Sequence, residues 1–219
     1  MDQARIDFWL KEFERFTTAI VANGEVPSSE LSIRLLRKMK RVICCDGALQ
    51  KLLSINIVPD VVVGDGDSMA GDLLHGHDIP YYPDKSEEYN DLQKALKYCT
   101  AKGYENILLM GCGGLREDHF IANLSILVMY SKEMLLSMLT EHGNFDVFYD
   151  VAEYHSFPGM QVSVFPSSPK QKFWFTGLKY PVNDRSFKWL WEGSLNEAEG
   201  DEFIVEASDD EPVVVYRAL

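Results

Sequence analysis

Positive charge is scarce in this sequence. Lysine and arginine total 21 against 34 acidic residues in 219, a formal net charge of −13. Such a surface repels phosphate backbones unless a local basic patch intervenes. The densest basic stretch, Arg34 to Arg41, reads as the polar side of a helix that ends before an apolar strand, so nothing points to nucleic-acid binding. Cysteine is also sparse. Cys44, Cys45, Cys99 and Cys112 lie in apolar or glycine-rich stretches without a CxxC pair or histidine companions, which argues against a disulfide framework or zinc site and suits a reduced, cytoplasmic protein. No apolar run approaches the length of a membrane span, and the opening MDQARIDFWLKEFERF mixes acids and bases where a signal peptide needs an apolar core. Neither membrane insertion nor a secretory leader is expected. What remains is ordinary globular composition, 46% hydrophobic and 12% aromatic, with length for one large or two modest domains.

From Thr18 to about Ser137, short apolar runs alternate with helical patterns. AIVA at Ala19 to Ala22 precedes a helix from about Ser29 to Lys40; VICC at Val42 to Cys45 precedes a short helix through Leu52 and Leu53. DVVV at Asp60 to Val63 is apolar on both faces, as a covered parallel strand requires. Leu92, Ala95, Leu96 and Cys99 follow helical spacing, and ILLM at Ile107 to Met110 is another buried strand before a helix near Glu117. This predicts a doubly wound, mainly parallel α/β domain over residues 1–142. After about Gly143 the text changes to short alternating segments, DVFY, QVSVF, KFWF, SFKWLW, EFIVEA and VVVY, split by Pro, Gly, Asn and Asp. Residues 143–219 are therefore expected to form a small antiparallel β-sandwich.

Open α/β sheets bind ligands beyond the carboxyl ends of their strands. Here those ends carry Asp46-Gly47, then Gly64-Asp65-Gly66-Asp67-Ser68, then Gly111 to His119. In an extended segment Asp65 and Asp67 point to one side about 6–7 Å apart. Their repulsion, roughly 2–3 kcal/mol at an effective dielectric near 20, makes a bound divalent cation the natural compensation. Magnesium suits an all-oxygen donor set that keeps waters and takes substrate phosphates; a plain exposed turn explains the same residues. The Gly111 to Gly114 loop between strand and helix offers main-chain N–H groups to phosphate, although tight turns need glycine anyway. Arg116 presents a fork suited to phosphate, or else a surface ion pair; His119 either joins the site or packs against the sheet. Asn90 is placed to cap the next helix, and Asp91 and Lys94 share its face, either reaching one site or forming an exposed ion pair.

In order and spacing these motifs resemble the thiamine pyrophosphokinase family, whose pattern runs D-G-[GA], G-D-x-D-S, [ED]-x-[TN]-D-x-x-K-A and G-x-x-G-x-R-x-D-H. They read here Asp46-Gly47-Ala48, Gly64 to Ser68, Glu88 to Ala95, and Gly111 to His119. Ala22-Asn23-Gly24, Gly177 to Pro181 and Gly193 to Glu197 extend the likeness to about Ala19 to Tyr216. Gly66, Ala48, Gln50 and Asn90 depart from the residues common in relatives, and Tyr180 stands where animal members carry tryptophan.

The resemblance implies an α/β domain followed by a β-sandwich, a homodimer, and transfer of the terminal pyrophosphate of ATP to the hydroxyl of thiamine. It also implies that Asp46, Asp65, Asp67 and Asp91 gather magnesium and the triphosphate. Asn23, Lys94, Gly113, Gly114, Arg116, Asp118 and His119 would hold or orient phosphates, and Tyr180, Ser194 and Asn196 would line the thiamine pocket. Trp174, Trp189 and Trp191 are expected to fill the sandwich core. Two other readings of the acidic motif are a metal-dependent nucleotide-sugar glycosyltransferase and a non-catalytic nucleotide or thiamine sensor.

Overall fold

A computed structural model of the chain describes residues 1–67, 74 and 76–219. They divide into two compact units, Met1–Glu141 and His142–Leu219.

The first unit opens with helix α1 (Gln3–Glu12), started by Asp2, whose side chain accepts from the Arg5 N–H. Trp9 is fully buried and stacks on Phe13 at 5.4 Å, so this stretch, which matches no motif, is part of the core. Strands β1 (Thr18–Val21), β2 (Arg41–Cys45), β3 (Val61–Gly64), β4 (Tyr81–Pro83), β5 (Asn106–Met110) and β6 (Leu135–Leu139) pair in parallel in the order β6-β5-β1-β2-β3-β4. The runs of β1, β2, β3 and β5 are buried at nearly every position, as continuous apolar strands in a covered parallel sheet should be, while β4 at the sheet edge is largely exposed. The helices are α2 (Glu30–Lys38), α3 (Leu49–Ser54), α4 (Asp91–Lys102) and α5 (Glu117–Tyr130). Ser29 caps α2 by accepting from the Ser32 N–H, and Asn90 caps α4 by accepting from the Gln93 N–H at 2.9 Å. The basic stretch ends as the sequence predicts, with Lys38 closing α2 three residues before β2.

Connectivity runs from β1 outward through β2, β3 and β4, then returns to β5 on the other side of β1. The reversal lies between β1 and β5, where a doubly wound sheet leaves a crevice for ligand.

The second unit contains two antiparallel four-stranded arrays. One has the order β12-β9-β14-β7, from β7 (Gly143–Phe148), β9 (Gln161–Pro166), β12 (Asn196–Glu197) and β14 (Val213–Ala218); the other has the order β11-β10-β13-β8, from β8 (Val151–His155), β10 (Lys172–Thr176), β11 (Val182–Ser186) and β13 (Glu202–Ala207). Phe173 stacks on Phe187 and Tyr154 on Phe203, both at 5.2 Å. Arg217 is buried, donating to Asp146 at 3.0 Å and lying over the Tyr154 ring at 4.9 Å.

Two expectations fail here. SFKWLW is not a strand: β11 ends at Ser186, and Leu190–Gly193 forms a 3-10 turn. The Glu192 carboxylate accepts from the N–H groups of Lys188 and Trp189, and that turn overrides the alternating pattern. Consequently Trp189 and Trp191 do not fill the core but are 67% and 71% exposed.

Candidate functional site

The crevice at the ends of β1 and β5 is built by two loops held together through main chain. Gly24 N–H donates to the Gly111 carbonyl and Glu25 N–H to the Gly113 carbonyl, each at 2.7 Å. Gly111 and Gly114 adopt φ of 64° and 84°, the left-handed region that glycine enters without cost. Asn123 in α5 donates to the Cys112 carbonyl at 2.9 Å and ties the same loop to the helix behind it.

Beside this crevice lies a cavity of about 660 Å³. Asp65, Asp91 and Lys94 line it together with Gly113, Arg116 and His119, and Asn23 joins them from the loop after β1. Loops after separate strands thus converge on one edge, as the sequence predicts. Asp46, Asp67, Gly114 and Asp118 flank the cavity in sequence but are not among its lining residues. Ser68 lies outside the described residues.

The acidic motif is bent rather than extended. Gly66 has φ of 90°, and Asp67 N–H donates back to Asp65 Oδ1 at 3.2 Å. Two-residue spacing puts side chains on one side only along an extended backbone, so the expected parallel pair of carboxylates does not form. Asp65 is instead half-buried against Lys94, and Asp67 is exposed.

Lys94 is 3% exposed, and its ammonium donates to Asp65 Oδ2 at 2.7 Å and to Asp91 Oδ1 at 3.2 Å. The Asp91–Lys94 pair is therefore no solvated surface bridge. Burial pulls the Lys94 pKa down, but the Asp65 and Asp91 carboxylates outweigh it and leave the ammonium raised. The Lys94 hydrogen bond, joined by the Asp67 N–H, holds the Asp65 carboxyl below the usual carboxylate range. Asp46 behaves oppositely. Burial and the neighbouring Asp91 charge push its pKa up, although the N–H groups of Gly66 and Gly47 bind its two oxygens at 3.0 and 2.6 Å.

Arg116 forks onto Asp118, Nε to Oδ1 at 3.1 Å and Nη2 to Oδ2 at 2.6 Å, with both side chains largely exposed. His119 is exposed on the cavity wall and does not pack against the sheet. Its N–H donates to Asp118 Oδ1 at 3.0 Å.

Among the described residues no three His, Cys, Asp or Glu side chains form a metal-holding group. The donors present still suit magnesium, which is commonly held by one or two carboxylates plus substrate phosphates rather than by an all-protein cage. Asp65 and Asp91 on the cavity wall, with Asp46 close enough for their charges to raise its pKa, are such carboxylates.

Sequence reasoning misses Lys51. Its ammonium donates to the carbonyls of Asn23 at 2.9 Å and Gly24 at 2.7 Å, pinning the loop after β1 from α3. A single lysine on a six-residue helix carries no motif, and only the tertiary fold brings it there.

In the second unit Tyr180, Ser194 and Asn196 do meet, around a separate hollow of about 220 Å³. Asn196 is buried and fixes the loop: its Oδ1 accepts from the Tyr180 N–H at 3.0 Å and its Nδ2 donates to the Tyr180 carbonyl at 2.8 Å. Ser194 Oγ donates to the Trp191 carbonyl, and the Tyr180 ring is 59% exposed.

These features define a two-domain protein: a doubly wound α/β sheet with a cavity beside its switch point, followed by an antiparallel β domain. Residues 33–138 match the family model of the thiamin pyrophosphokinase catalytic domain, and residues 143–216 match that of the thiamin pyrophosphokinase substrate-binding domain. The chain belongs to the thiamin pyrophosphokinase family. It is similar to thiamin pyrophosphokinase 1 of Caenorhabditis elegans, with 28% identity over 153 residues, and the match spans 60% of this chain and 62% of that relative's length. Yeast thiamin pyrophosphokinase shares the fold with a TM-score of 0.81 at 14% identity, over 96% of this chain and 90% of that one. The Bacillus subtilis enzyme does so at 0.77 and 20% identity, over 92% and 98%. These matches lend no support to the glycosyltransferase and sensor readings.

Proposed function

We propose that this chain transfers the terminal pyrophosphate of ATP to the hydroxyl of thiamine, giving thiamine pyrophosphate and AMP. The observation that carries the reading is the buried Lys94 ammonium between Asp65 and Asp91, on the wall of a cavity shared with Gly113 and Arg116. Such a site can hold a polyanion, and the charges it offers match the two signs of a metal–triphosphate.

The thiamine hydroxyl oxygen attacks the β-phosphorus in line, the bond from that phosphorus to the α–β bridging oxygen breaks, AMP leaves with that oxygen, and the hydroxyl proton is released. Phosphoryl transfer of this loose kind asks mainly for positioning and charge neutralisation. Arg116, oriented by its fork onto Asp118, binds phosphate oxygens together with His119 and the main-chain N–H groups of Gly113 and Gly114. Asn23 borders the same phosphates. Magnesium, held by Asp65 and Asp91 with Asp46 and Asp67 nearby, would neutralise charge on the transferring group. Lys94 lowers the Asp65 pKa, which suits a metal ligand and makes this carboxylate a weak proton acceptor.

Tyr180 offers the flat thiamine cation an aromatic face, an attraction of about 0.5–2 kcal/mol, with Ser194 and Asn196 shaping the hollow beside it. The working unit is a homodimer, a reading supported by the exposed Trp189, Leu190, Trp191 and Leu195, since apolar clusters of this kind mark association surfaces. Four buried thiols without a disulfide support a cytoplasmic location, and among the described residues no helix is long and apolar enough to cross a membrane.

Incubation with ATP, magnesium and thiamine, followed by chromatography of the nucleotides, tests the reading. Stoichiometric AMP with thiamine pyrophosphate is expected. ADP with thiamine monophosphate would refute it.

A further inference from the structure

We propose that Lys94 is a positioning residue whose fixed ammonium, set between Asp65 and Asp91, partly neutralises the carboxylates that would hold the cation, and so makes metal uptake depend on arrival of the nucleotide. The inference rests on the functional reading above for the nucleotide's identity alone.

The geometry comes first. Lys94 Nζ lies 2.7 Å from Asp65 Oδ2 and 3.2 Å from Asp91 Oδ1, with its side chain 3% exposed while those of both carboxylates are 36% exposed. An ammonium carries three donors, and two are spent on these oxygens. Asp65 is satisfied on its other side as well, since Oδ1 accepts the Asp67 N–H. The cavity carboxylates that would ligate a metal are thus already neutralised in part by a fixed charge.

Lys94 cannot easily leave. It belongs to the buried side of α4 with Leu92, Ala95, Leu96 and Cys99, and the Asn90 cap fixes where that helix begins. Asp65 is equally constrained, because the strand end before it is held by the Tyr81 hydroxyl donating to the Gly64 carbonyl at 3.0 Å.

A divalent cation entering alone therefore meets two carboxylates sharing one positive charge, and like charges repel at this range. A nucleotide brings several negative charges and further oxygen ligands, which suits the way magnesium is held between carboxylates and phosphates. The third Lys94 donor is then available to the same phosphates. A purely structural buried ion pair would leave metal affinity unchanged or lower when broken. The positioning role raises it.

The test is manganese binding followed by electron paramagnetic resonance. Wild-type protein without nucleotide should bind Mn2+ weakly, and more than tenfold more tightly with an ATP analogue whose terminal pyrophosphate cannot be transferred. Lys94→Met without nucleotide should bind Mn2+ at least tenfold more tightly than wild type, a lower bound for removing one nearby charge. Lys94→Arg, which keeps the charge, should stay near wild type. Tight Mn2+ binding by nucleotide-free wild type overturns the proposal and needs no variant to fold. So does a folded Lys94→Met protein whose Mn2+ affinity equals or falls below that of wild type. Because every readout is binding, a protein that behaves as expected but releases no AMP upholds the role of Lys94 and refutes only the assigned reaction.

Discussion

A single methyl group at Gly24 should loosen the crevice between β1 and β5. The Gly24 backbone is not in the left-handed region, so alanine is excluded there by space alone. Its Cβ would collide with the carbonyl oxygens of Gly111 and Gly113, which are main chain and cannot rotate aside. Those two oxygens accept cross-loop bonds from the Gly24 and Glu25 N–H groups at 2.7 Å. Losing both costs about 2 kcal/mol together, and forcing a methyl into packed backbone typically costs about 1–3 kcal/mol. Allowing the loops to give partly, Gly24→Ala should destabilise the α/β unit by about 2–4 kcal/mol. At this size that lowers Tm by about 5–15 °C. The loop that moves carries Gly113 and leads to Arg116, so the KM for ATP should rise while the KM for thiamine changes little. Circular-dichroism melts and steady-state AMP formation measure both. A Gly24→Ala protein with wild-type Tm and unaltered KM for ATP would refute the view that these loops form one phosphate cradle.

Lys51→Met, which removes the clamp on the Asn23 and Gly24 carbonyls, should raise the KM for ATP severalfold and leave thiamine binding unchanged; Lys51→Arg should recover part of the loss. Tyr180→Ala should raise the KM for thiamine with the KM for ATP preserved, and an unchanged thiamine KM would remove Tyr180 from the site. The Asp65 carboxyl is depressed in the folded protein, so its contribution to stability is present above its unfolded pKa of about 3.9 and is lost as pH falls through the lower folded value. Tm measured against pH should therefore show wild type above Asp65→Asn at neutral pH and the two curves converging below about pH 4; a gap that persists into stronger acid contradicts the Asp65–Lys94 pairing.

Much of the fold is legible because its signals are local. VICC, DVVV and ILLM are apolar on both faces, and only a covered parallel sheet satisfies such strands. Ser29 and Asn90 announce their helices by side-chain chemistry that acts within three residues. The failures share a different cause. SFKWLW has strand periodicity, but Glu192 reaches back to the Lys188 and Trp189 N–H groups and closes a turn. The Asp65–Asp67 pair obeys period two only while the chain is extended, and Gly66 at φ of 90° breaks that premise. Lys51 is illegible altogether, because its partners are carbonyls 27 and 28 residues away.

The site also changes how its acidity should be understood. From sequence alone, clustered carboxylates in a chain of net charge −13 call for a metal to relieve repulsion. In the folded protein much of that relief is already supplied to Asp65 and Asp91 by the Lys94 ammonium, whereas the two main-chain N–H groups on Asp46 do not offset its burial and the Asp91 charge. Repulsion is therefore a weak reason to invoke magnesium here. The stronger reason is geometric, since compensated carboxylates retain oxygens on the wall of a cavity that also holds Gly113 and Arg116, and charge balance is restored only when an anion and a cation enter together. On the proposed role of Lys94, a site arranged in this way should bind neither partner well alone. It selects the pair.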